Sequence, residues 1–349
     1  MYVIGSIAYK KIQQIGVGQG MNSTVYLVND QQLGGTVAAK EIEKSRFPDP
    51  SGYFAEAQVM FAASHENIVS IQYACQTPTE ISLVMPYYVK GSLADRIKDR
   101  PLQLSEVLRI AQGTLAGLAQ IHLKGYIHFD VKPSNILFSD TDKPMVADFG
   151  QSRAISPSGV VAVPPLYMRS QPPEVINTGV ATKVADIYHV GLLIYRALNG
   201  DPFFNLQIPS DAVIMSKILK GKFPDRSLFM PHVPSHIRTL VRKALYVNPA
   251  NRFQTATEMA DALSRVNVAL DWSVESMLLG GLRWRAVRPN QCDLVVEMAN
   301  LGGTWDVKTF TEKKNSPKRA ISRKENWRSG ISQDDAFSHL KDVFEKFLQ

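Results

Sequence analysis

The run His128-Phe129-Asp130-Val131-Lys132-Pro133-Ser134-Asn135 brings a carboxylate, an ammonium and an amide into one short segment, and Asp148-Phe149-Gly150 follows soon after. Those groups suit the movement of a phosphoryl group. Such a transfer needs little covalent help from a protein. It needs a carboxylate to orient the attacking hydroxyl, cations to neutralise developing charge, and oxygen ligands for a hard divalent ion. Asp130 supplies the first, Lys132 can meet the moving group, and Asn135 and Asp148 offer oxygen ligands from two segments. A polar turn beside a strand would explain one of these residues but not the ordered set.

Three features further upstream fit the same chemistry. Gly18-Gln19-Gly20-Met21-Asn22-Ser23-Thr24-Val25 follows the apolar Ile12 to Ile15 and precedes a strand. Glycines let a backbone turn tightly and bring its N–H groups close to phosphate oxygens. Taken alone this is an ordinary glycine hairpin turn. Lys40 ends the strand-like Val37-Ala38-Ala39 and can reach phosphates, and Glu56, on the next helical stretch, could hold that lysine in place. By itself Glu56 reads as a solvated surface carboxylate.

The elements that must position these residues fall into two blocks. Up to about Val89, short apolar runs alternate with turns: Val25 to Val28, Val37 to Ala39 and Ile81 to Met85 read as strands, and Tyr53 to Ala63 as one helix. From Ser92 to about Leu270 the pattern turns helical. Val107, Ile110, Ala111, Leu115, Leu118 and Ile121 form a stripe, and Val190 to Leu198 is apolar nearly all round. A sheet-rich unit followed by a larger helical one is an α+β, two-lobed layout. The bulk properties are those of a globular chain: 349 residues, 45% hydrophobic, 20% charged, net charge +7. The basic excess favours acidic partners in general. Two cysteines support neither a disulfide framework nor a cysteine zinc site, so a reducing, cytoplasmic setting is expected. The first residues lack a secretory signal pattern, and no run of about 18 apolar residues suggests a membrane span.

In this order the segments resemble the protein-kinase signature set, over about three-quarters of the chain, from near Tyr9 to near Leu270. The resemblance implies a bilobal fold, Mg²⁺ and ATP, and transfer to serine or threonine hydroxyls of protein substrates, the last because Lys132 stands two residues after Asp130. It casts Asp130 and Lys132 as catalytic and Asn135 and Asp148 as metal ligands. Gly18, Gly20, Ser23, Val25, Ala38, Lys40, Glu56, Met85, Tyr87 and Leu137 are cast as nucleotide-site residues. Leu83 to Tyr87 resembles the hinge that meets adenine. Asp186 resembles the aspartate that braces the catalytic loop, and Arg252 the arginine that pairs with Glu174. The chain departs from the pattern at Ser23, in the third glycine position, and at Phe129, where an arginine usually receives an activation-segment phosphate. No cation in the catalytic loop therefore waits for a phosphate on Ser152, Ser156 or Ser158. Val163 to Tyr167 lacks the usual threonine, and Arg169 to Pro172 looks like an insertion. The alternative is a pseudokinase scaffold, whose usual mark, loss of the lysine or a catalytic aspartate, is missing here.

The expected division is 1–85 and 86–270 for the two lobes and 271–349 for an accessory unit. In that unit Leu282 to Ala286, Cys292 to Met298 and Trp305 to Thr309 alternate as strands, and Ser332 caps a helix with the stripe Phe337, Leu340, Val343, Phe344, Phe347 and Leu348. This predicts a β-β-β-α domain from about Leu279. Lys313, Lys314, Lys318, Arg319, Arg323, Lys324 and Arg328 read as a basic loop, either merely solvated or open to an acidic protein or nucleic acid.

Overall fold

The computed structural model describes residues 7–16, 23–163, 170–289, 291–313, 319–322 and 324–348. Gly18 and Gly20 lie outside the described residues, as does 164–169, on which the missing threonine and most of the insertion rest.

The first lobe is an antiparallel sheet of β1 (Tyr9–Ile15), β2 (Thr24–Asp30), β3 (Gly35–Glu43), β4 (Tyr73–Gln76) and β5 (Glu80–Pro86), ordered β1-β2-β3-β5-β4. Alternation along β3 puts Ala38 and Lys40 on one face. Ala38 lies opposite Met85, and Lys40 opposite Val25 and Leu83. The expected helix is α1 (Ala55–Ala62), which carries Glu56 in its first turn.

In the second lobe, α2 (Leu93–Ile97) opens with a capping box in which Ser92 and Asp95 satisfy each other's backbone N–H. α3 (Leu104–Leu123) buries the predicted stripe. Three two-stranded ribbons carry the catalytic segments. β6 (Tyr126–Ile127) pairs with β9 (Arg153–Ala154), β7 (Ile136–Phe138) with β8 (Pro144–Val146), and β10 (Val161–Ala162) with β11 (Val180–Ala181). The lobe is completed by α4 (Pro173–Thr178), α5 (Val184–Asn199), α6 (Asp201–Asn205), α7 (Asp211–Leu219), α8 (Ser235–Ala244) and α9 (Ala256–Ser264). Of these, α5 is buried on nearly every side, as its unbroken apolar run requires.

The C-terminal region corrects the expectation of three strands. Its sheet has six: β12 (Trp272–Ser276), β13 (Leu282–Ala286), β14 (Asp293–Asn300), β15 (Trp305–Glu312), β16 (Arg319–Ser322) and β17 (Arg328–Ile331). The middle three are the predicted ones. β12 lies within 271–349 but before Leu279, where the predicted β-β-β-α domain was to start. β16 and β17 each pair with β15 through shifted registers, inside the stretch expected to be a loop. The strands that escaped prediction are short, and β16 and β17 are rich in basic and small residues, so neither shows clean alternation. α10 (Gln333–Leu348) is present, and Ser332 Oγ accepts the Asp335 N–H at 3.1 Å as its cap.

The core of the second lobe runs without a break into this sheet. Trp284 is fully buried and donates its indole N–H to His232 Nδ1 at 3.0 Å. Phe344 of α10 meets Trp272, Trp284 and His232 at centroid distances of 5.0, 5.5 and 6.1 Å. Burial pushes the His232 imidazole down to about 3, so it stays a neutral acceptor for Trp284. Asp271, just before β12, accepts the Ser105 N–H at 3.2 Å and the Ser105 hydroxyl at 2.5 Å. It caps α3, whose own Gln103 makes no side-chain cap.

Candidate active site

The site lies between the two lobes. Lys40 reaches out from β3 to both Glu56 carboxylate oxygens, at 2.7 and 3.0 Å, and to Asp148 Oδ1 at 2.7 Å. Burial alone would lower the Lys40 ammonium. The charges of Glu56 and Asp148 outweigh it and hold Lys40 well above the ordinary lysine range, so it is a permanent cation. The same contact holds the Asp148 carboxyl at about 2 although partial burial pushes the other way, so it is ionised at neutral pH. Asp148 keeps 37% of its side chain exposed, whereas Lys40 and Glu56 keep 10% each. The strand and helix enclose the pair, and the aspartate faces the cleft.

Across the cleft, Asp130 Oδ2 accepts Lys132 Nζ at 2.7 Å and Asn135 Nδ2 at 2.9 Å, and the Asp130 backbone carbonyl accepts Asn135 Nδ2 at 2.8 Å. With its amide N–H₂ committed, Asn135 is left with its carbonyl oxygen, touched only by a long contact from Ser134 Oγ at 3.4 Å. Asn135 and Asp148 thus offer an amide oxygen and a carboxylate oxygen from two segments. That donor set fits a hard divalent ion.

A buried carboxylate holds the loop in shape. Asp186 at the start of α5 is fully buried and accepts the backbone N–H groups of His128 and Phe129, each at 2.9 Å. Burial would favour the neutral acid, but the imidazoles of His122 and His189 keep Asp186 far below the usual range. His122 Nε2 lies 2.8 Å from it. The braced loop carries Phe129 at φ +65°, and Asp148 sits at φ +63°. Left-handed backbone at such residues costs about 1–3 kcal/mol each and persists only where the surroundings overdetermine it. The buried Asp186 bonds do so for Phe129.

Residues 9–263 match the protein kinase domain family. The chain belongs to the protein kinase family. It is 32% identical over 263 residues to the serine/threonine-protein kinase PknB of Mycobacterium leprae, covering 72% of this chain and 42% of that protein. It is 30% identical over 250 residues to the serine/threonine-protein kinase PrkC of Bacillus subtilis, covering 70% and 38%. A probable serine/threonine-protein kinase PknB of Lactococcus lactis aligns over 328 residues at 28% identity, covering 90% and 50%. The chain spans between about two-fifths and half of the length of these relatives. Among the described residues no helix is long and apolar enough to cross a membrane.

The remaining positions named from the resemblance lie on or beside β2, β5 and β7. Ser23 and Val25 flank the start of β2, Met85 and Tyr87 are half-buried at the end of β5, and Leu137 lies on β7 bridged to Ser92. Arg252, fully buried at its side chain, meets both Glu174 oxygens at 2.8 and 2.6 Å. Sequence reasoning missed the role of His122, which is far from Asp186 in the chain and carries no local signal. It also missed what takes the place of an arginine at 129. Phe129 is buried in an apolar cluster with Ile127, Val161, Val175, Ala181 and Ala185. β10, within the activation segment, is held to the catalytic loop by packing. Ser152 is buried, so it is closed to modification in this arrangement, while Ser156 and Ser158 lie toward solvent, their hydroxyls 2.8 Å apart.

Proposed function

We propose that the chain transfers the γ-phosphoryl group of Mg-ATP to serine or threonine hydroxyls of proteins. The observation that carries this reading is the completed Lys40–Glu56 pair with Asp148 on the same ammonium, an arrangement that kinases need before transfer. Lys40, buried and always charged, holds the nucleotide phosphates. Asp130 orients the incoming hydroxyl and takes its proton as the oxygen attacks phosphorus and the bond to ADP breaks. Lys132, 2.7 Å from Asp130, neutralises charge on the moving group. Asn135 and Asp148 would hold Mg²⁺, which supplies charge neutralisation for the phosphates. Val25, Ala38, Met85, Tyr87 and Leu137 would line the nucleotide, and Gly18 and Gly20 are assigned to its phosphates by the resemblance alone. Transfer of radiolabel from ATP to a protein acceptor, measured for wild type and Asp130→Asn, tests the assignment. Activity of the purified variant near wild type would end it.

The second part of the proposal concerns setting and architecture. Free thiols at Cys75 and Cys292 support a reducing compartment, hence the cytoplasm. Residues 1–85 and 86–270 act as the two lobes, with 271–349 as a unit fixed to the second. A recruiting role for that unit rests on Lys313, Lys324 and Arg328, which are exposed. The other basic side chains of that stretch lie outside the described side chains. Trp327 gives a nucleic acid little to stack on, since it is half-buried and Lys308 Nζ lies 5.9 Å over its ring.

A further inference from the structure

Asn135 and Asp148, the two residues proposed to hold the metal, stand at the root of one short hairpin. β7 begins at the residue after Asn135, and β8 ends two residues before Asp148. The ladder between the strands has only three pairs, Ile136–Val146, Leu137–Met145 and Phe138–Pro144. At the root it is closed by the Ala147 N–H, which donates to the Asn135 carbonyl at 2.9 Å. The register of this ribbon therefore sets how far apart the two oxygen donors stand. An isolated two-stranded ribbon is marginally stable, and a slip of one residue turns every side chain to the other face. The far end needs a fastening.

That end carries an unfavourable turn. Asp142 sits at φ +65°, in the left-handed region that a glycine occupies more easily. Cations from three places meet it. Arg96 of α2 donates to both carboxylate oxygens, to Oδ2 at 3.3 Å. Arg109 of α3 donates to Oδ2 at 2.6 Å and to the Asp142 carbonyl. Lys90 Nζ lies 3.9 Å from Oδ1. Arg96 also donates to Glu106 of α3 at 2.9 Å, and its guanidinium lies 3.3 Å over the ring of Phe138, the last residue of β7. One side chain thus touches the tip of the hairpin, one of its strands and α3. A planar fork that bonds and stacks at once is a task for arginine rather than lysine. Exposed ion pairs contribute little singly, but Arg96 and Asp142 are half-buried and belong to a network of five charged groups.

The clamp also reaches the other end of the nucleotide site. α2 starts just past the hinge residues Met85 and Tyr87; its cap Ser92 bridges Leu137, and the Phe138 N–H donates to the Gly91 carbonyl at 3.1 Å. The segment after the hinge and the hairpin are joined as one piece.

We propose that Arg96 and Asp142 are positioning residues, whose clamp fixes the β7–β8 hairpin so that Asn135 and Asp148 hold the metal at one spacing. This rests on the kinase reading and adds to it two residues outside the cleft.

The test uses the full chain, with Mn²⁺ in place of Mg²⁺ and a non-hydrolysable ATP analogue, and follows free Mn²⁺ by electron paramagnetic resonance. No phosphoryl transfer enters the measurement. Arg96→Gln and Asp142→Gly should each weaken Mn²⁺ binding by about fivefold or more. Glycine suits the left-handed turn, so a turn that matters only for its shape would keep or tighten binding in Asp142→Gly. Arg109→Gln, at an exposed side chain, should weaken binding less and in the same direction, and it reads the clamp even where Arg96→Gln fails to fold. Binding unchanged in Asp142→Gly and Arg109→Gln overturns the proposal. So does a loss confined to Arg96→Gln, which assigns the effect to the Phe138 ring contact. A wild type that binds no Mn²⁺ with the nucleotide overturns the kinase reading and the clamp together, whereas wild-type binding that survives in every variant overturns the clamp alone.

Discussion

The cleft and the junction between the second lobe and the C-terminal sheet are held by opposite means. In the cleft, charges face each other at 2.7 Å with part of the site open to solvent, and the arrangement depends on ionised groups staying ionised. At the junction two tryptophans, a phenylalanine and a neutral histidine close over one another, and the arrangement depends on a titratable group staying uncharged. A change at the first should therefore cost rate and spare the fold, whereas a change at the second should cost the fold and lower activity only in proportion to protein lost.

The largest expected effect is in the cleft. Lys40→Met, Asp130→Asn and Asp148→Asn should each lower the transfer rate by about 10²-fold or more, and the two aspartate variants should keep a melting temperature close to wild type. A melting temperature that falls along with the rate would blur the contrast between the two regions. Next comes the junction: Trp284→Ala should cost about 3–5 kcal/mol of stability, since it empties a buried indole site and strands the His232 acceptor. Chemical denaturation measures it, and a cost below about 1 kcal/mol would mean the sheet is only loosely attached. The same test applies to Arg252→Met, which leaves Glu174 without its buried partner and should cost about 3–5 kcal/mol.

A smaller effect separates the regions by pH. His232 has its folded value pushed below the ordinary 6.5 to about 3. The unfolded chain binds that proton first, so stability from this group is complete above pH 6.5 and declines as pH falls toward 3. Between pH 6.5 and 5, before most carboxylates titrate, wild type should lose up to about 1.4 kcal/mol per pH unit from this residue. His232→Gln should flatten the slope, and an unchanged slope would assign the acid sensitivity elsewhere. The smallest expected effect is none: phosphatase-treated enzyme should keep its full rate, because Phe129 holds β10 through packing. A silent enzyme that recovers only after Ser156 or Ser158 is phosphorylated would show that the apolar cluster is insufficient.

The two regions also differed in how far the sequence revealed them. The catalytic loop and Asp148 lie close together in the chain, and each residue type there answers to one chemical need, so Asp130, Lys132, Asn135 and Asp148 could be singled out from residue type and order, whereas Glu56 stood out only through the family resemblance. Their mutual distances could not be read from the chain. Phe129 shows the limit. The missing arginine was visible, but its apolar replacement is assembled from Val161, Val175 and Ala181, which only the fold brings together. At the junction, β13 to β15 and α10 showed clean periodicity. β12 was hidden because Trp272 and Val274 give too short an alternation, and β17 because its pairing with Trp305 and Val307 follows no period. The place where the sheet docks left no trace at all, since His232 in isolation is an unremarkable loop histidine.

The continuous core has a consequence for how the chain is made. Translation delivers both kinase lobes before α10, and roughly 80 residues separate the end of α9 from Phe344. At about 5–20 residues per second the ribosome needs several seconds to supply that ring. During that interval His232 and the apolar surface around it lack the cover of Phe344. A nascent kinase in that state is a natural client for a chaperone. Slowing translation across the β13–β15 codons should raise the fraction lost to aggregation more than the same slowing within the first lobe.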